Sequence, residues 1–147
     1  MSEQPEKVAT FAELLSPEEK PRLVCTWTER HYQQGETVAI YAPDQAEAEE
    51  LDAVLWTFRQ NAFIPHVRLE EVEEPLIEPV VIFSSDPGEV RMDVLILASA
   101  DGLPSWFDRF HRIYDFAVVY DEGQRQAGRD RYSACKDAGY RMRFVKS

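Results

Sequence analysis

Short runs of almost entirely apolar residues recur along this chain, and they constrain its fold more than any other feature. Four such runs lie at residues 37–42, 80–84, 93–98 and 116–120. Runs of this length without polar alternation are typical of strands that are buried on both faces of a sheet. Because helix-length segments separate several of them, the pattern predicts a single domain over residues 1–147. Its expected architecture is a three-layer (α/β/α), Rossmann-like fold with a mostly parallel sheet of about five to seven strands.

The remaining elements are predicted from start and stop signals. Ser16 and Pro17 are typical of a helix N-terminus, although Pro21 favours a later start, and Gly35 has the place of a C-terminal glycine after residue 34. The other predicted elements are a strand at 8–15, a helix at 45–58, an extended segment at 64–67, an acidic loop at 70–78, a short helix at 104–113, a final helix at 123–138 and an edge strand at 140–145. Residues 1–7 are polar and are predicted to be disordered.

Composition and cysteine usage favour a cytoplasmic globular protein. The chain has 147 residues, of which 44% are hydrophobic and 29% charged, enough for one core of ordinary size. It contains no apolar run near the roughly 20 residues of a membrane span and no secretory signal pattern at its N-terminus, so we expect no membrane partner. Cys25 and Cys135 are far apart and outside any metal-binding motif, which predicts two reduced thiols.

Charge is distributed unevenly along the chain. The net charge is −11, which disfavours tight direct contact with the phosphates of a nucleic acid. From residue 123 onward, however, seven Lys or Arg stand against two Asp, so this segment carries +5 and residues 1–122 carry −16. The C-terminal segment is therefore a basic island on an acidic body.

Motifs for catalysis and cofactor binding are missing from the sequence. None of the six glycines forms G-x-G or G-x-x-x-x-G-K, so a nucleotide cofactor is not expected. Ser84 and Ser85 lie outside a G-x-S-x-G elbow. Six further residues are interpreted as packing, surface or capping groups: His31, His66, His111, Asp93, Asp115 and Asp121. We predict no catalytic residue, no metal and no cofactor.

The final predicted helix carries the clearest candidate site. At 100° per residue, its exposed stripe falls within about 60° and consists of Arg125, Arg129, Tyr132 and Lys136. The opposite side carries small residues suited to packing on the sheet: Ala127, Ala134 and Ala138. Gly128 predicts either a soft segment or close packing. Three cations around one ring suit an acidic peptide with a hydrophobic terminal residue and a free carboxylate. The alternatives are a nucleobase beside its phosphates, or a solvated charged face without function.

Trp56 is the second anomaly. The apolar face of its predicted helix runs through Leu51 and Leu55, and Trp56 lies roughly 150° from the centre of that face. Phe63 follows in the adjoining loop. Exposed aromatic residues close together are typical interface anchors, which favours a partner-binding surface at Trp56 and Phe63. The alternative is that a neighbouring segment, such as the acidic loop at 70–78, covers Trp56.

One pattern spans both sides of this loop: LDAVLW at residues 51–56, then FIPH at residues 63–66. It resembles the LD-x-x-LW…F-x-PH segment of the chi subunit family of bacterial DNA polymerase III. Shorter segments agree with the family in the same order, and they lie at residues 9–11, 23–25, 93–96, 114–116, 129–132 and 138–140. The resemblance covers residues 9–145, and the matching order and spacing make it specific.

The resemblance implies an accessory subunit of the polymerase without catalytic activity of its own, on a Rossmann-like fold without a nucleotide site. It implies that Arg125, Arg129 and Tyr132 bind the acidic C-terminal tail of single-stranded DNA-binding protein, which ends in Pro-Phe. It also implies that Trp56 and Phe63 bind the psi subunit, which tethers chi to the clamp loader. DNA is then reached only indirectly during replication.

Differences from the family pattern, and variation among bacteria that have chi, leave alternatives open. Ser133 stands where some family members carry a further Lys, so the tail-binding pocket is expected to depend on Lys136 or Arg141 instead of that Lys. Psi does not accompany chi in all bacteria, so the partner at Trp56 and Phe63 is psi, a helicase or the clamp loader itself. The alternative functions are a small α/β enzyme or nucleotide-binding protein that uses the strand-end crevice, and direct binding of single strands by the basic island.

Overall fold

The structure, a computed structural model, describes residues 6–57, 64–72, 78–88, 90–98 and 102–146. Within these ranges seven strands form one sheet: β1 (Val8–Leu14), β2 (Val38–Tyr41), β3 (His66–Arg68), β4 (Val80–Phe83), β5 (Val94–Leu97), β6 (Arg112–Val118) and β7 (Arg141–Val145). Their order is β3-β4-β2-β5-β6-β1-β7, and every described pairing is parallel. The predicted parallel α/β fold is therefore confirmed.

Among the described residues, three α-helices cover this sheet: α1 (Lys20–Gln33), α2 (Gln45–Thr57) and α3 (Glu122–Asp137). Helix α1 carries Pro21 in its first turn, where a missing N–H is tolerated, and it is followed by Gly35 with a φ of +78°. Asp121 caps the N-terminus of helix α3, and its carboxylate accepts a hydrogen bond from the Gln124 amide at 2.8 Å. These three helices agree with the predicted ones. Residue 58, the last residue of the helix predicted at 45–58, lies outside the described ranges.

Two apolar cores lie on opposite faces of the sheet. Helices α1 and α2 pack on one face, over strand residues that include Leu14, Ile40, Ile82, Ile96 and Phe116. Helix α3 and residues 106–110 pack on the other face, over Phe11, Phe83, Leu95 and Ile113. Strands β2, β4 and β5 contribute to both cores, because successive side chains of a strand point to opposite faces. This two-sided burial explains why their sequences are continuously apolar.

Residues 104–113 differ from the prediction of a short helix. They contain one 3-10 turn, Phe107–Arg109, instead. Trp106 and Phe110 are nevertheless buried in the core on the α3 side. The aromatic spacing that resembled a helix face therefore reflects burial of an irregular segment.

Strand β6 begins at Arg112 and ends at Val118, whereas the sequence predicted a strand at 116–120. The first half of this strand contains polar residues, so it does not form an apolar run in the sequence. Tyr114 belongs to it, and its hydroxyl lies 2.7 Å from Nε2 of His31 on α1. A polar side chain is stable at such a position when a partner on another element satisfies it.

Two predicted segments fall largely outside the described residues. They are the disordered start at 1–7, of which residues 1–5 are not described, and the acidic loop at 70–78, of which 73–77 are not. The loop begins with a 3-10 turn, Leu69–Glu71, and the Glu70 carboxylate accepts a hydrogen bond from the Ser84 amide at 2.7 Å. Among the helices described, none is long and apolar enough to cross a membrane.

A buried ion pair attaches α3 to the sheet. Nε of Arg131 lies 2.7 Å from Oδ2 of Asp115, and Nη2 lies 3.2 Å from Oδ1. The Phe116 amide donates a further hydrogen bond to Oδ1 at 2.6 Å. Burial raises the pKa of Asp115 above its ordinary value, and the adjacent guanidinium counteracts this rise. Arg131 and Asp115 are 3% and 0% exposed, so the pair is shielded from solvent screening.

The side of α3 that faces the sheet is therefore not the predicted alanine side. The buried residues of α3 are Gly128, Arg131 and Cys135. The alanines lie elsewhere on the helix surface: Ala127 and Ala134 are half-buried and Ala138 is exposed. The prediction was wrong because it located the buried side of the helix from its small residues, whereas Asp115 provides Arg131 with a partner inside the protein.

Replacing Arg131 with Ala is expected to lower the free energy of unfolding by about 3–5 kcal/mol, because Asp115 would stay buried without its partner. Urea denaturation followed by circular dichroism measures this change. The matched control is Arg129→Ala, an exposed arginine on the same helix, for which we expect a change below about 0.5 kcal/mol. Similar effects of the two substitutions would contradict a structural role for the pair.

Candidate functional site

A groove runs along α3 where this helix passes over β1, β6 and β7. We call it the α3 groove, and its volume is about 530 Å³. The helix contributes Arg125, Gly128, Arg129, Tyr132 and Ser133. The sheet contributes Phe11, Glu13, Ala117, Val118 and Phe144, and Val119 lines the groove directly after the end of β6. A space of this size accommodates a few residues of a peptide.

Aromatic rings form an apolar part of the α3 groove. Phe11 of β1 and Phe144 of β7 are register partners in the sheet. The ring of Tyr132 packs edge-on against Phe11, with 5.3 Å between the ring centroids. Phe144 is 51% exposed, so a large apolar surface faces the groove without being covered by the protein itself. Such an open aromatic surface is suited to an apolar side chain of a ligand.

Two guanidinium groups form the charged part of the α3 groove. Arg125 and Arg129 are one helical turn apart, and both are exposed. A guanidinium binds a carboxylate through two parallel N–H···O contacts, so either arginine suits a ligand carboxylate. Glu13 lines the groove from β1, so the groove carries charges of both signs and favours one orientation of a charged ligand.

Three of the four residues predicted on the final helix come together here. Arg125, Arg129 and Tyr132 line the α3 groove, and Lys136 is exposed one turn further along the helix, outside the lining. Its place in the charged stripe predicts that the Tyr132 side chain is exposed to solvent. In the structure this side chain is half-buried against the core, because Phe11 provides an aromatic contact.

Arg141, the other predicted contributor to the site, lies elsewhere. It belongs to β7, and its Nε is 3.1 Å from Oε1 of Glu6. Met142 packs into the core on the α3 side. Since side chains alternate along a strand, Arg141 lies on the opposite face of the sheet from the α3 groove.

Sequence reasoning missed the strand residues of the groove. Phe11 and Phe144 lie near the two ends of the chain, and only the pairing of β1 with β7 makes them neighbours. One signal was available, because residues 141–144 alternate charged and apolar residues as an edge strand does. That alternation places Phe144 on one face but does not say which helix covers it.

Trp56, the second predicted site residue, is 51% exposed at the end of α2. Its indole lies against the imidazole of His66, with ring centroids 4.3 Å apart. The exposure agrees with the expectation that Trp56 points away from the core. Phe63 lies outside the described residues, so its distance from Trp56 is not described.

The strand-end crevice, where α/β proteins usually bind ligands, is partly filled by a lysine. Nζ of Lys20 donates to the Ala98 carbonyl at 2.7 Å and to Oε1 of Glu47 at 3.2 Å. The lining of the crevice around Lys20 contains three acidic residues, Asp44, Glu47 and Glu50. Asp44 also accepts a hydrogen bond from the Glu47 amide at the start of α2. This acidic lining repels the phosphates of a nucleotide.

The cysteines and histidines take structural positions. Burial raises the pKa of both Cys25 and Cys135 to about 12, so both are protonated thiols at neutral pH. His31 and His66 are buried and hydrogen-bonded, as the packing interpretation predicted, and His111 is exposed. Over the described ranges, no group of three or more His, Cys, Asp or Glu is arranged to hold a metal ion.

The fold and the α3 groove together define a Rossmann-like α/β protein with a cation-lined, peptide-sized groove on the flank of its sheet. The solved structure of the C-terminal domain of the DEAD-box protein Dbp5 has the same fold, with a TM-score of 0.55 at 10% identity over 96% of this chain and 89% of that one. Residues 7–143 match the model of the DNA polymerase III chi subunit family, HolC. The chain belongs to this family of polymerase subunits.

Individual relatives agree with this assignment. DNA polymerase III subunit chi of Pseudomonas aeruginosa is 33% identical over 124 residues, which cover 84% of each chain. The subunit of the same name from Escherichia coli K12 is 26% identical over 82% of this chain and 81% of its own length. That of Haemophilus influenzae is 25% identical over 82% of both chains. The resemblance found in the sequence is confirmed.

Substituting Gly128 with Ala is expected to stabilise α3 by up to about 1 kcal/mol, because Ala is the better helix former. An added Cβ would lie 3.4 Å from the Phe116 carbonyl oxygen, an ordinary contact, so the methyl group fits. Gly128→Leu should instead destabilise the fold, since the atoms beyond Cβ would press on the Phe116 carbonyl and the Arg131 guanidinium, which lie only 3.4 and 3.6 Å from an added Cβ. Thermal unfolding of both variants measures the effects, and destabilisation by Ala would contradict this geometry.

Proposed function

We propose that the α3 groove binds the acidic C-terminal tail of single-stranded DNA-binding protein, which ends in Pro-Phe. The protein thereby links that DNA-bound partner to the clamp loader during replication, in the cytoplasm and without catalysing a reaction itself. The observation that carries the proposal is the α3 groove, which combines exposed guanidinium groups with an open aromatic surface in a chain of the chi family.

The terminal residue of the tail offers two groups that the α3 groove can satisfy together. Its phenyl ring packs against the aromatic surface of Phe11, Tyr132 and Phe144. Its α-carboxylate pairs with Arg129 or Arg125 at the charged side. A ligand that lacks either the ring or the carboxylate uses only half of the groove, so the site selects chain ends over internal segments.

Acidic residues that precede the terminal Phe strengthen this binding through longer-range attraction. Arg125, Arg129 and Lys136 are exposed on one helix of a chain whose remainder is strongly acidic. An acidic peptide is therefore repelled by most of the surface and attracted to α3, which guides it to the groove. In this proposal Lys136 contributes attraction from outside the groove, whereas the two arginines contact the tail.

Direct binding of single-stranded DNA is not part of this proposal. The net charge of −11 opposes a phosphate backbone that would extend beyond the basic island. A short acidic tail needs only the area around α3. Contact with DNA is thus expected through the tail-bearing partner.

A second surface of the protein binds the other partner in this proposal. We assign it to Trp56, which exposes half of its large ring on α2, across the sheet from α3. Phe63, from the same matching segment, is proposed to act with it. The partner here is psi, a helicase or the clamp loader itself. Because α2 and α3 lie on opposite faces of the sheet, both surfaces can be occupied at once.

Reversing the charge at Arg129 is expected to reduce affinity for the tail more than about tenfold, because breaking a charge-assisted contact costs roughly 2–5 kcal/mol. Fluorescence anisotropy of a labelled acidic peptide ending in Pro-Phe measures the affinity. Arg129→Glu is compared with Arg22→Glu, the same charge change at an exposed site on α1. Equal losses in both variants would mean that only net charge matters and would reject the groove.

The same titration separates this function from its alternatives. Removing the terminal Phe of the peptide should abolish binding, and added salt should weaken it, since the Debye length falls to about 8 Å at physiological ionic strength. Binding that persists without the terminal Phe would overturn the proposed mode. A thermal shift with mononucleotides would favour a nucleotide-binding protein instead, and affinity for short oligonucleotides would favour direct DNA contact.

Trp56→Ala is expected to abolish binding of a purified clamp-loader complex that contains psi, while tail affinity stays unchanged. The physical reason is that a large exposed aromatic anchor typically contributes more than 2 kcal/mol to an interface. Surface plasmon resonance measures both interactions on one sensor. Arg129→Glu should show the reverse pattern, and loss of both interactions in either variant would contradict two separate surfaces.

A further inference from the structure

Strand β7 lies at one edge of the sheet. Among the described strands it pairs only with β1, and this pairing is parallel. The Arg141 amide donates to the Lys7 carbonyl oxygen at 2.8 Å, so the backbone groups of Arg141 face β1. Because this direction alternates from residue to residue along a parallel strand, the amide and carbonyl groups of Met142 and Phe144 point away from β1. The outer side of β7 is therefore a template for another extended chain.

The side chains of β7 favour an acidic chain at this edge. Four of its five residues are exposed, and they comprise two cations and two apolar side chains: Arg141, Arg143, Phe144 and Val145. A second copy of β7 is a poor partner, because pairing the two strands would bring their arginines together. An extended acidic segment instead places carboxylates beside the same arginines, so charge complementarity selects it over self-association.

The edge of β7 continues into the α3 groove through Phe144. This residue presents its side chain to the groove, and its amide points to the outer side of the strand. Directly opposite residues of a parallel pair have their side chains on the same face, as Phe11 and Phe144 do in the groove lining. A peptide strand parallel to β7, with its last residue opposite Phe144, thus directs that residue's side chain to the aromatic surface of the groove.

We propose that the acidic residues before the terminal Phe of the tail bind as an added strand, parallel to β7, while the terminal Phe occupies the α3 groove. This inference rests on the proposed function, because its occupant is the tail of single-stranded DNA-binding protein. It adds recognition of the peptide main chain to recognition of the chain end. The tail is then held by its extended backbone as well as by its ring and carboxylate.

The register of the added strand uses carbonyl groups of the peptide. The Phe144 amide donates to the carbonyl of the penultimate residue, and the Met142 amide donates to that of the fourth residue from the end. Neither bond needs an N–H at the penultimate position, so the Pro of the tail is compatible with this pairing. The side chain of the fourth residue from the end lies opposite Arg141 and diagonal to Arg143, within reach of both.

Amide hydrogen exchange of the ¹⁵N-labelled full chain, followed by nuclear magnetic resonance, tests the added strand. In the protein alone, the Met142 amide should exchange faster than the Arg141 and Arg143 amides, which face β1. Saturation with the peptide Asp-Asp-Asp-Asp-Pro-Phe should slow exchange at Met142 by at least about tenfold. The matched control is acetyl-Pro-Phe, which reaches the groove and Phe144 only and should leave exchange at Met142 fast.

Each outcome of this experiment separates strand addition from the proposed function. Anisotropy of the labelled peptide reports binding itself, so fast exchange at Met142 in the bound state overturns the added strand and leaves tail binding intact. Absence of binding overturns both. Slow exchange at Met142 in the protein alone also overturns the added strand, because the edge is then covered by another part of the chain or by a second copy.

A charge exchange tests the register. Arg143→Glu is chosen because Arg141 already pairs with Glu6. It should weaken binding of the same peptide about threefold, since neighbouring opposite charges become like charges. Lys at the fourth position from the peptide's end should bind this variant more tightly than Lys at the third position, which lies on the α3 face. The two Lys peptides have the same net charge, so equal affinities for the variant overturn the proposed strand.

Discussion

The buried pair of Asp115 and Arg131 fixes α3 against the sheet, and the α3 groove depends on that attachment. It lies where α3 crosses β6, beside Gly128. A charge pair in the interior tolerates little displacement, because lateral movement would leave a buried charge without its partner. The pair therefore determines how α3 sits over β1 and β7, and with it the width of the groove between them.

Much of the fold could be predicted from the sequence because most strands are buried on both faces. The apolar runs at β2, β4 and β5 can be recognised as strands without knowing which elements lie beside them. Strand β6 was displaced in the prediction because Tyr114 and Asp115 are polar, and the helix residues that satisfy them, His31 and Arg131, are brought to them only by the fold. The alanine face of α3 was wrong for the same reason, since no local pattern distinguishes a buried arginine from an exposed one.

The residues of the candidate site were predicted from the sequence or missed for a similar reason. Arg125, Arg129 and Tyr132 share one face of a single helix, so helical spacing alone brought them together. Phe11 and Phe144 could not be added, because their proximity depends on a strand pairing that spans nearly the whole chain. Trp56 was identified by its direction on α2, but its contact with His66 required the position of β3. The sequence therefore indicated the helix residues of each surface, whereas the strand residues that lie beside them were found only from the structure.

Pairing of the first strand with the last has a consequence for when the protein can act. The α3 groove includes Phe11 from β1 and Phe144 from β7, so it does not exist until the C-terminal strand has been synthesised and has joined the sheet. A chain that emerges from the ribosome, or one clipped before its last strand, retains most of the apolar core but has no complete groove. Under the proposed function, competence for tail binding is thus coupled to completion of the fold, and partial chains do not compete with finished ones for the tail.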